Sequence, residues 1–504
     1  MNSSKRKVEK ISSVFVDVLV VLITVLSVFV ISTLGNLFGL TYHYTGSYDY
    51  SLSGSTDELF KEAIDGDKRV TIYFCMNDTE LEAHSTGSEV YTTAKYFAER
   101  YPSFIEIKHI NIITREDEDG NLFPLSKYET DVYGNKTPIF KTSVIFECGD
   151  NYRVVTDTYT GAGFAPFFTL NSSMQDTSYN GEEVIAAMVS WVTTDKEDLK
   201  HAYFTKHHGE VGDIAFYNLL SCAGYYVDEI DLRKSEVPED ADLLVISNPS
   251  SDFEMSRDGS IPTEIDRLKS YIERGGNIYV ALDPYVKKLT VLEGFLSDFG
   301  IEFSTTQTES GATVRNMIKD SSNAITLDGF TLVSDYASSP LAKSISKKVS
   351  KYRDGGVIVR EVSALKLDSS KNAYPLLVSS SSSVLEAGGK TVSDSGRYNI
   401  AAYSEKTTKS GKTARVFVIP SVYLAVSDSL IAREYSNKDF TYALLDEFFG
   451  AENMPYGCKA IVYDTQTLEN LRMGTAKLYT AIIFLIPVSI GVVGAVRLVR
   501  RKNR

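Results

Sequence analysis

The turn after a strand predicted over 201–205 carries Lys206-His207-His208-Gly209-Glu210, two imidazoles and a carboxylate within four residues. Turns at the carboxyl ends of parallel strands are where α/β sheets place their sites. Imidazole with carboxylate is a donor set for metal binding or for acid/base work. Adjacent side chains diverge, however, and no second ligand cluster stands elsewhere. His207, His208 and Glu210 are therefore read first as structural capping, then as contacts to an organic ligand, and last as metal ligands. Glu210, close to a helix start, suits the positive end of the helix dipole. Two further strand ends, Asn248-Pro249 and Asp283-Pro284, offer polar side chains to the same edge. Proline stops a central strand and Asn or Asp begins a turn, so a turn is the simpler reading and a ligand loop the second.

Covalent chemistry lacks its parts. Acyl transfer needs a nucleophile on a strand-to-helix elbow with a base in reach. No Cys stands at the strand ends, no G-x-S-x-G occurs, and Cys222 falls inside a predicted helix. A P-loop and a Rossmann glycine fingerprint are also absent, so the chain is not expected to hydrolyse nucleotide or hold a dinucleotide. Cys75, Cys148, Cys222 and Cys458 form no C-x-x-C, which excludes a zinc knuckle and a dithiol redox motif. No cofactor and no metal is expected. Asn77, Asn135 and Asn171 open glycosylation tripeptides, a short pattern that is common by chance.

The elements that would position these residues lie between two apolar runs, 11–34 and 478–496. Each is about the roughly 20 residues that cross a bilayer. Lys5, Arg6, Lys7 and Lys10 precede the first, and Arg497, Arg500, Arg501, Lys502 and Arg504 follow the second. Basic flanks stay cytoplasmic. The expectation is a plasma-membrane protein with two transmembrane helices, both termini cytoplasmic (1–10 and 497–504), and the main domains extracytoplasmic. The formal net charge is -14. The basic ends carry about +7, leaving roughly -21 between, which argues against nucleic acid as partner.

The first extracytoplasmic domain is expected over 35–198. It reads as a strand at 70–76, a helix at 88–100, a strand at 104–112, a hairpin of 142–147 and 152–156, and a helix at 182–194. That order resembles a thioredoxin-like domain, with Thr137-Pro138 resembling its cis-proline element. The redox cysteine pair is missing, so the resemblance implies a fold without redox chemistry.

A second domain is expected over 199–457, followed by a juxtamembrane segment, 458–477. Strands at 201–205, 226–230, 242–247 and 277–282 alternate with helices at 212–223, 263–274 and 286–299. Such alternation indicates a parallel sheet covered on both faces. The pattern weakens over 301–412, where serine-rich 379–383 reads as a mobile loop. A strand at 414–419 and a helix at 439–449 then restore it.

Several segments of this domain occur in a specific order. They are Tyr203-Phe-Thr-Lys-His-His-Gly-Glu210, Val237-Pro-Glu-Asp-Ala-Asp-Leu-Leu-Val-Ile-Ser-Asn-Pro249, Arg274-Gly-Gly-Asn-Ile-Tyr-Val-Ala-Leu-Asp-Pro284, Arg415-Val-Phe-Val-Ile-Pro-Ser421 and Tyr435-Ser-Asn437. With the terminal run and its Arg-Arg tail they resemble the GldG-like family, over about residues 50–501. Members are auxiliary membrane components of ABC transport systems, first linked to gliding motility. The match departs at His207-His208, where the family tends to have Gly-His. The resemblance implies a class I glutamine-amidotransferase-like α/β domain without catalysis. It also implies ABC permease and ATPase subunits as partners. The expected function is a non-enzymatic auxiliary ectodomain subunit of such a transporter. The alternatives are a cell-envelope ligand- or glycan-binding module and an exported hydrolase.

Overall fold

The computed structural model describes residues 49–463, apart from 54, 132–133, 156–166, 171–175, 211–213, 255–261, 310 and 432–433. The architecture belongs to one unit that begins at Tyr50 and contains two main sheets.

The first sheet holds β1 (Val70–Phe74), β2 (Ile105–Asn111), β3 (Glu116–Asp117), β4 (Val144–Cys148) and β5 (Asn151–Val155), in the order β3-β2-β1-β4-β5. β1 and β2 are parallel, while β4 runs antiparallel to both β1 and β5. A parallel pair needs a crossover, and α1 (Gly87–Arg100) supplies it, burying Val90, Ala94 and Phe97 at helical spacing. The β4–β5 hairpin turns through Gly149 at φ +60°. The Thr137-Pro138 bond is trans, correcting the expected cis-proline element.

Two short strands, β6 (Phe168–Leu170) and β7 (Asp176–Tyr179), lead into α2 (Gly181–Thr193). All thirteen residues of α2 are buried, including Glu182 and Glu183. This helix packs on the first sheet and on the next helix of the chain. A helix apolar on most sides is stable only when covered on most sides.

The second sheet begins with β8 (Lys200–Thr205), α3 (Ile214–Cys222), β9 (Tyr225–Ile230), β10 (Leu243–Ser247), α4 (Glu264–Glu273), β11 (Asn277–Ala281) and α5 (Thr290–Ser297). After an irregular stretch it takes up β12 (Asn399–Thr407) and β13 (Thr413–Ile419). β9, β8, β10, β11 and β13 lie side by side and parallel. Counted in sequence, that order is 2-1-3-4-5, so the chain reverses its direction of travel between β8 and β10. Every residue of β10 is buried, as an interior parallel strand covered on both faces requires. β12 adds antiparallel to β13 and begins an extension through Ala373–Val378, Thr331–Tyr336 and Val357–Arg360. On one face β10, β11 and β13 pack on α4 and α5 through Leu244, Ile246, Val280, Val418, Leu268 and Leu292.

Three further sequence expectations change. The first is the two-span plasma-membrane anchor, with the gliding-motility ABC-transporter setting that depended on it. No helix among the described residues is long and apolar enough to cross a membrane; α1 has 14 residues, short of the roughly 20 required. The runs 11–34 and 478–496 and both basic ends lie outside the described residues. The fold is mixed α/β. The second is serine-rich 379–383, which is not a mobile loop. Ser380 and Ser383 donate to buried Asp320, whose carboxylate accepts both Ser hydroxyls at 2.8 Å and the Ser380 amide at 2.9 Å. Serine composition resembles a linker, but here the hydroxyls satisfy a buried charge. The third is the helix predicted from 286, which starts at Thr290. Asp252 accepts from the amides of Val291 and Leu292 at 2.8 and 3.1 Å and caps it from another loop. Sequence-local capping rules do not see such a partner.

Candidate functional site

The reversal between β8 and β10 leaves their carboxyl ends without a crossing connection, so a crevice opens there. Beside it, at the carboxyl ends of β10 and β11, lies a cleft of about 590 Å³. Ser247, Asn248 and Ser250 come from the end of β10, and Ala281, Asp283 and Val286 from the end of β11. Phe216 of α3 and Tyr279 pack together in its wall, with ring centroids 4.7 Å apart. Val422, Ala425 and Val426, after β13, close one side.

Asn248 has φ +52°, a left-handed conformation that Asn tolerates better than most residues. Its amide donates to the Ala281 carbonyl at 2.8 Å, which continues the ladder one step past β10. Asp283 turns the chain at the end of β11 by accepting from the Tyr285 amide at 2.8 Å. Its carbonyl accepts from Arg315 Nη1 at 2.7 Å. Arg315 in turn pairs with Glu293 at 2.8 Å and lies over the Phe303 ring at 4.6 Å. Both members of that pair are buried. The guanidinium is neutralised by Glu293 and serves to hold the Asp283 loop.

His208 sits behind the cleft wall. Its ring stacks flat on Phe253, with centroids 4.1 Å apart and planes 7° apart. Nδ1 meets Glu210 Oε1 at 2.9 Å and Nε2 meets Glu264 Oε1 at 2.8 Å. A carboxylate can only accept, so both ring nitrogens donate and the ring is an imidazolium. Burial alone would lower its pKa, but the hydrogen bonds and charges of Glu210 and Glu264 outweigh it and raise it to about 9. Burial would conversely raise the Glu210 carboxyl; His208 holds it below its ordinary value. The His208 carbonyl accepts from the amides of Ser250 and Ser251 at 2.9 Å and from the Ser250 hydroxyl at 3.2 Å. The imidazolium and its peptide thus fasten the β8 loop to the β10 loop and to α4.

Of the predicted site residues, Asn248 and Asp283 meet in the cleft. His208 and Glu210 pair with each other and with Glu264 as its support. His207 turns away, its Nε2 3.5 Å from Asp231 Oδ2. Asp231, held by Arg233 and Lys234, stays well below the usual carboxylate range. Glu264, Arg315 and Tyr279 were missed. Glu264 follows Thr263, which makes a capping box with Asp266, so in sequence it reads as one more acid in a first turn. Arg315 lies in the stretch where the periodic signal fails.

Gly209 joins the two parts. Its φ is +71°, and a Cβ there would collide with the Ser250 hydroxyl. Gly209→Ala is expected to destabilise the protein by about 1–3 kcal/mol. Adding Ser250→Gly is expected to return part of that loss by removing the collision, leaving the backbone strain. Denaturant titration of both variants checks this; no recovery in the double variant would show that the two loops do not touch there.

Chemically, the cleft offers hydroxyl, carboxamide and carboxylate groups above an aromatic floor. His208 and Ser250 form no base–nucleophile pair, because both His208 nitrogens are engaged and the Ser250 hydroxyl donates to a carbonyl. Cys222 is fully buried in α3, and burial pushes its thiol well above the ordinary range, which makes it inert as a nucleophile.

No protein-family model matches the chain, and no curated protein does. Among solved structures it is similar to the mmIFT52 N-terminal domain, with 14% identity, a TM-score of 0.36, and coverage of 50% of this chain and 98% of that one. It is also similar to PurLQS from Thermotoga maritima, with 16% identity, a TM-score of 0.27, and coverage of 49% and 97%. A third is the exo-beta-1,4-mannosidase Op5Man5 from Opitutaceae bacterium strain TAV5, with 10% identity, a TM-score of 0.25, and coverage of 54% and 40%. Similarity this loose assigns the chain to no family and carries no functional conclusion.

Proposed function

We propose that this chain is a non-catalytic binding protein whose ligand, a small organic molecule, occupies the cleft at the carboxyl ends of β10 and β11. The observation that carries this reading is the cleft itself. It lies at the carboxyl ends of neighbouring parallel strands, it measures about 590 Å³, and ligand pockets typically span roughly 300–1,000 Å³. Its walls are mostly apolar with a few polar groups, the composition of small-molecule sites. The missing elbow nucleophile supports a role without catalysis.

Thermal-shift screening against a library of small organic compounds, followed by calorimetry, tests the reading. Val426 lines the cleft, and Val426→Trp is expected to fill it. Ligands that stabilise the wild type are expected to lose at least tenfold in affinity for this variant while its unfolding midpoint without ligand stays close to wild type. Undiminished binding by Val426→Trp would move the site elsewhere. Turnover of a bound compound would make the protein an enzyme.

A further inference from the structure

Among the described residues that line the cleft, Asp283 is the one charged side chain and the others are neutral. Tyr279 remains a neutral phenol, because burial raises its pKa above the ordinary value. The nearby guanidinium of Arg315 is committed to Glu293 and reaches only the backbone carbonyl of Asp283. The carboxylate itself accepts the Tyr285 amide through Oδ1. A carboxylate beside apolar walls is costly unless a cation or several donors meet it. The whole chain is acidic, with a net charge of -14, so the long-range field also favours cations.

We propose, on the reading that this cleft is a binding site, that it takes a cationic amine carried on an apolar or aromatic body. The ammonium group would pair with Asp283, with the Ser247 and Asn248 side chains as further acceptors on the same wall. The body would lie along Phe216, Tyr279, Val422 and Val426. An anion would meet repulsion from Asp283, and among the described lining residues no side chain supplies a positive charge to a phosphate or carboxylate.

Tyramine, tyrosol and 4-hydroxyphenylacetate share one aromatic body and differ in the charge of their headgroups, so they separate charge from shape. Calorimetry on the full chain is expected to give tyramine at least tenfold higher affinity than tyrosol, with 4-hydroxyphenylacetate weakest. Asp283→Asn keeps the acceptor for the Tyr285 amide and is expected to bring tyramine and tyrosol within about twofold of each other. Raising salt is expected to weaken tyramine and leave tyrosol unchanged. Equal binding of tyramine and tyrosol by the wild type, or an amine preference that survives Asp283→Asn, would overturn the inference. If neutral compounds bind in the cleft and amines gain nothing, the binding reading stands and the cation preference fails. If no compound of any charge binds, both fail.

Discussion

Lys438→Met is expected to lower the unfolding free energy by about 3–5 kcal/mol, the loss seen when one member of a buried ion pair is removed. Lys438 lies in the first turn of helix Asn437–Glu447 and is buried. Its Nζ lies 3.0 Å from Glu183 Oε2, and Tyr442 donates to the other oxygen of Glu183 at 2.5 Å. Burial would lower the Lys438 pKa, but Glu183 and Asp439 more than offset it, so the ammonium stays charged. The pair joins residues 255 positions apart. It ties α2, which packs on the first sheet, to a helix near the far end of the chain. Removing the ammonium leaves Glu183 as a buried charge with only a phenol as partner. Glu183→Gln added to Lys438→Met is expected to regain most of the loss, since the amide oxygen still accepts from Tyr442 and no buried charge remains. Urea unfolding of the two variants measures this. A single variant within about 1 kcal/mol of wild type would mean that water reaches the pair.

The second large effect is a pH dependence set by His208. Its pKa is about 9 folded, against about 6.5 for an unperturbed histidine in the unfolded chain. A raised folded pKa means that the folded state holds its proton more tightly. The stabilisation is complete below pH about 6.5 and is lost as pH climbs to about 9. At roughly 1.36 kcal/mol per pH unit, the loss across this window is on the order of 3 kcal/mol. The His208 side chain is only 4% exposed, so solvent does little to screen it. His208→Gln is expected to be less stable than wild type at pH 6 by a similar amount, because Glu210 and Glu264 then face each other without a cation. The difference between the two proteins is expected to shrink towards pH 9. Denaturation curves at pH 6, 7, 8 and 9 read this directly. A constant difference across the series would show that His208 is neutral in the folded protein.

The two halves of the candidate site were legible to different degrees. Asn248 and Asp283 were visible because each ends an apolar run with a Pro behind it, and parallel strands put such ends on one edge. His208 and Glu210 were visible as a pair, but their task was not. A histidine beside a cleft and a histidine bolted behind its wall look alike in sequence. Glu264, 56 residues away, decides between them by taking the second ring nitrogen. The same holds for Asp252, which caps a helix 39 residues downstream, and for Asp320, which gives the serine-rich segment its order.

The sequence by itself determined the local periodicities. Runs such as Leu243–Ser247 are strands because four consecutive apolar residues, Leu243 to Ile246, fit a sheet buried on both faces. The strand–helix alternation determined that β8, β9, β10 and β11 would be parallel, since parallel neighbours require crossovers, while the extension of the eleven-stranded sheet beyond β13 pairs antiparallel. It also determined the absence of an elbow nucleophile, which is a matter of residue identity. Only the tertiary structure decided the strand order, and with it the place of the cleft, because any of several orders satisfies the same alternation. Only the tertiary structure decided which charges are buried and paired. Glu183 with Lys438, Glu264 with His208, and Arg315 with Glu293 are separated in the chain by 255, 56 and 22 positions. Partners that far apart leave no periodic trace, because their contact is set by how whole elements pack and not by spacing along one of them.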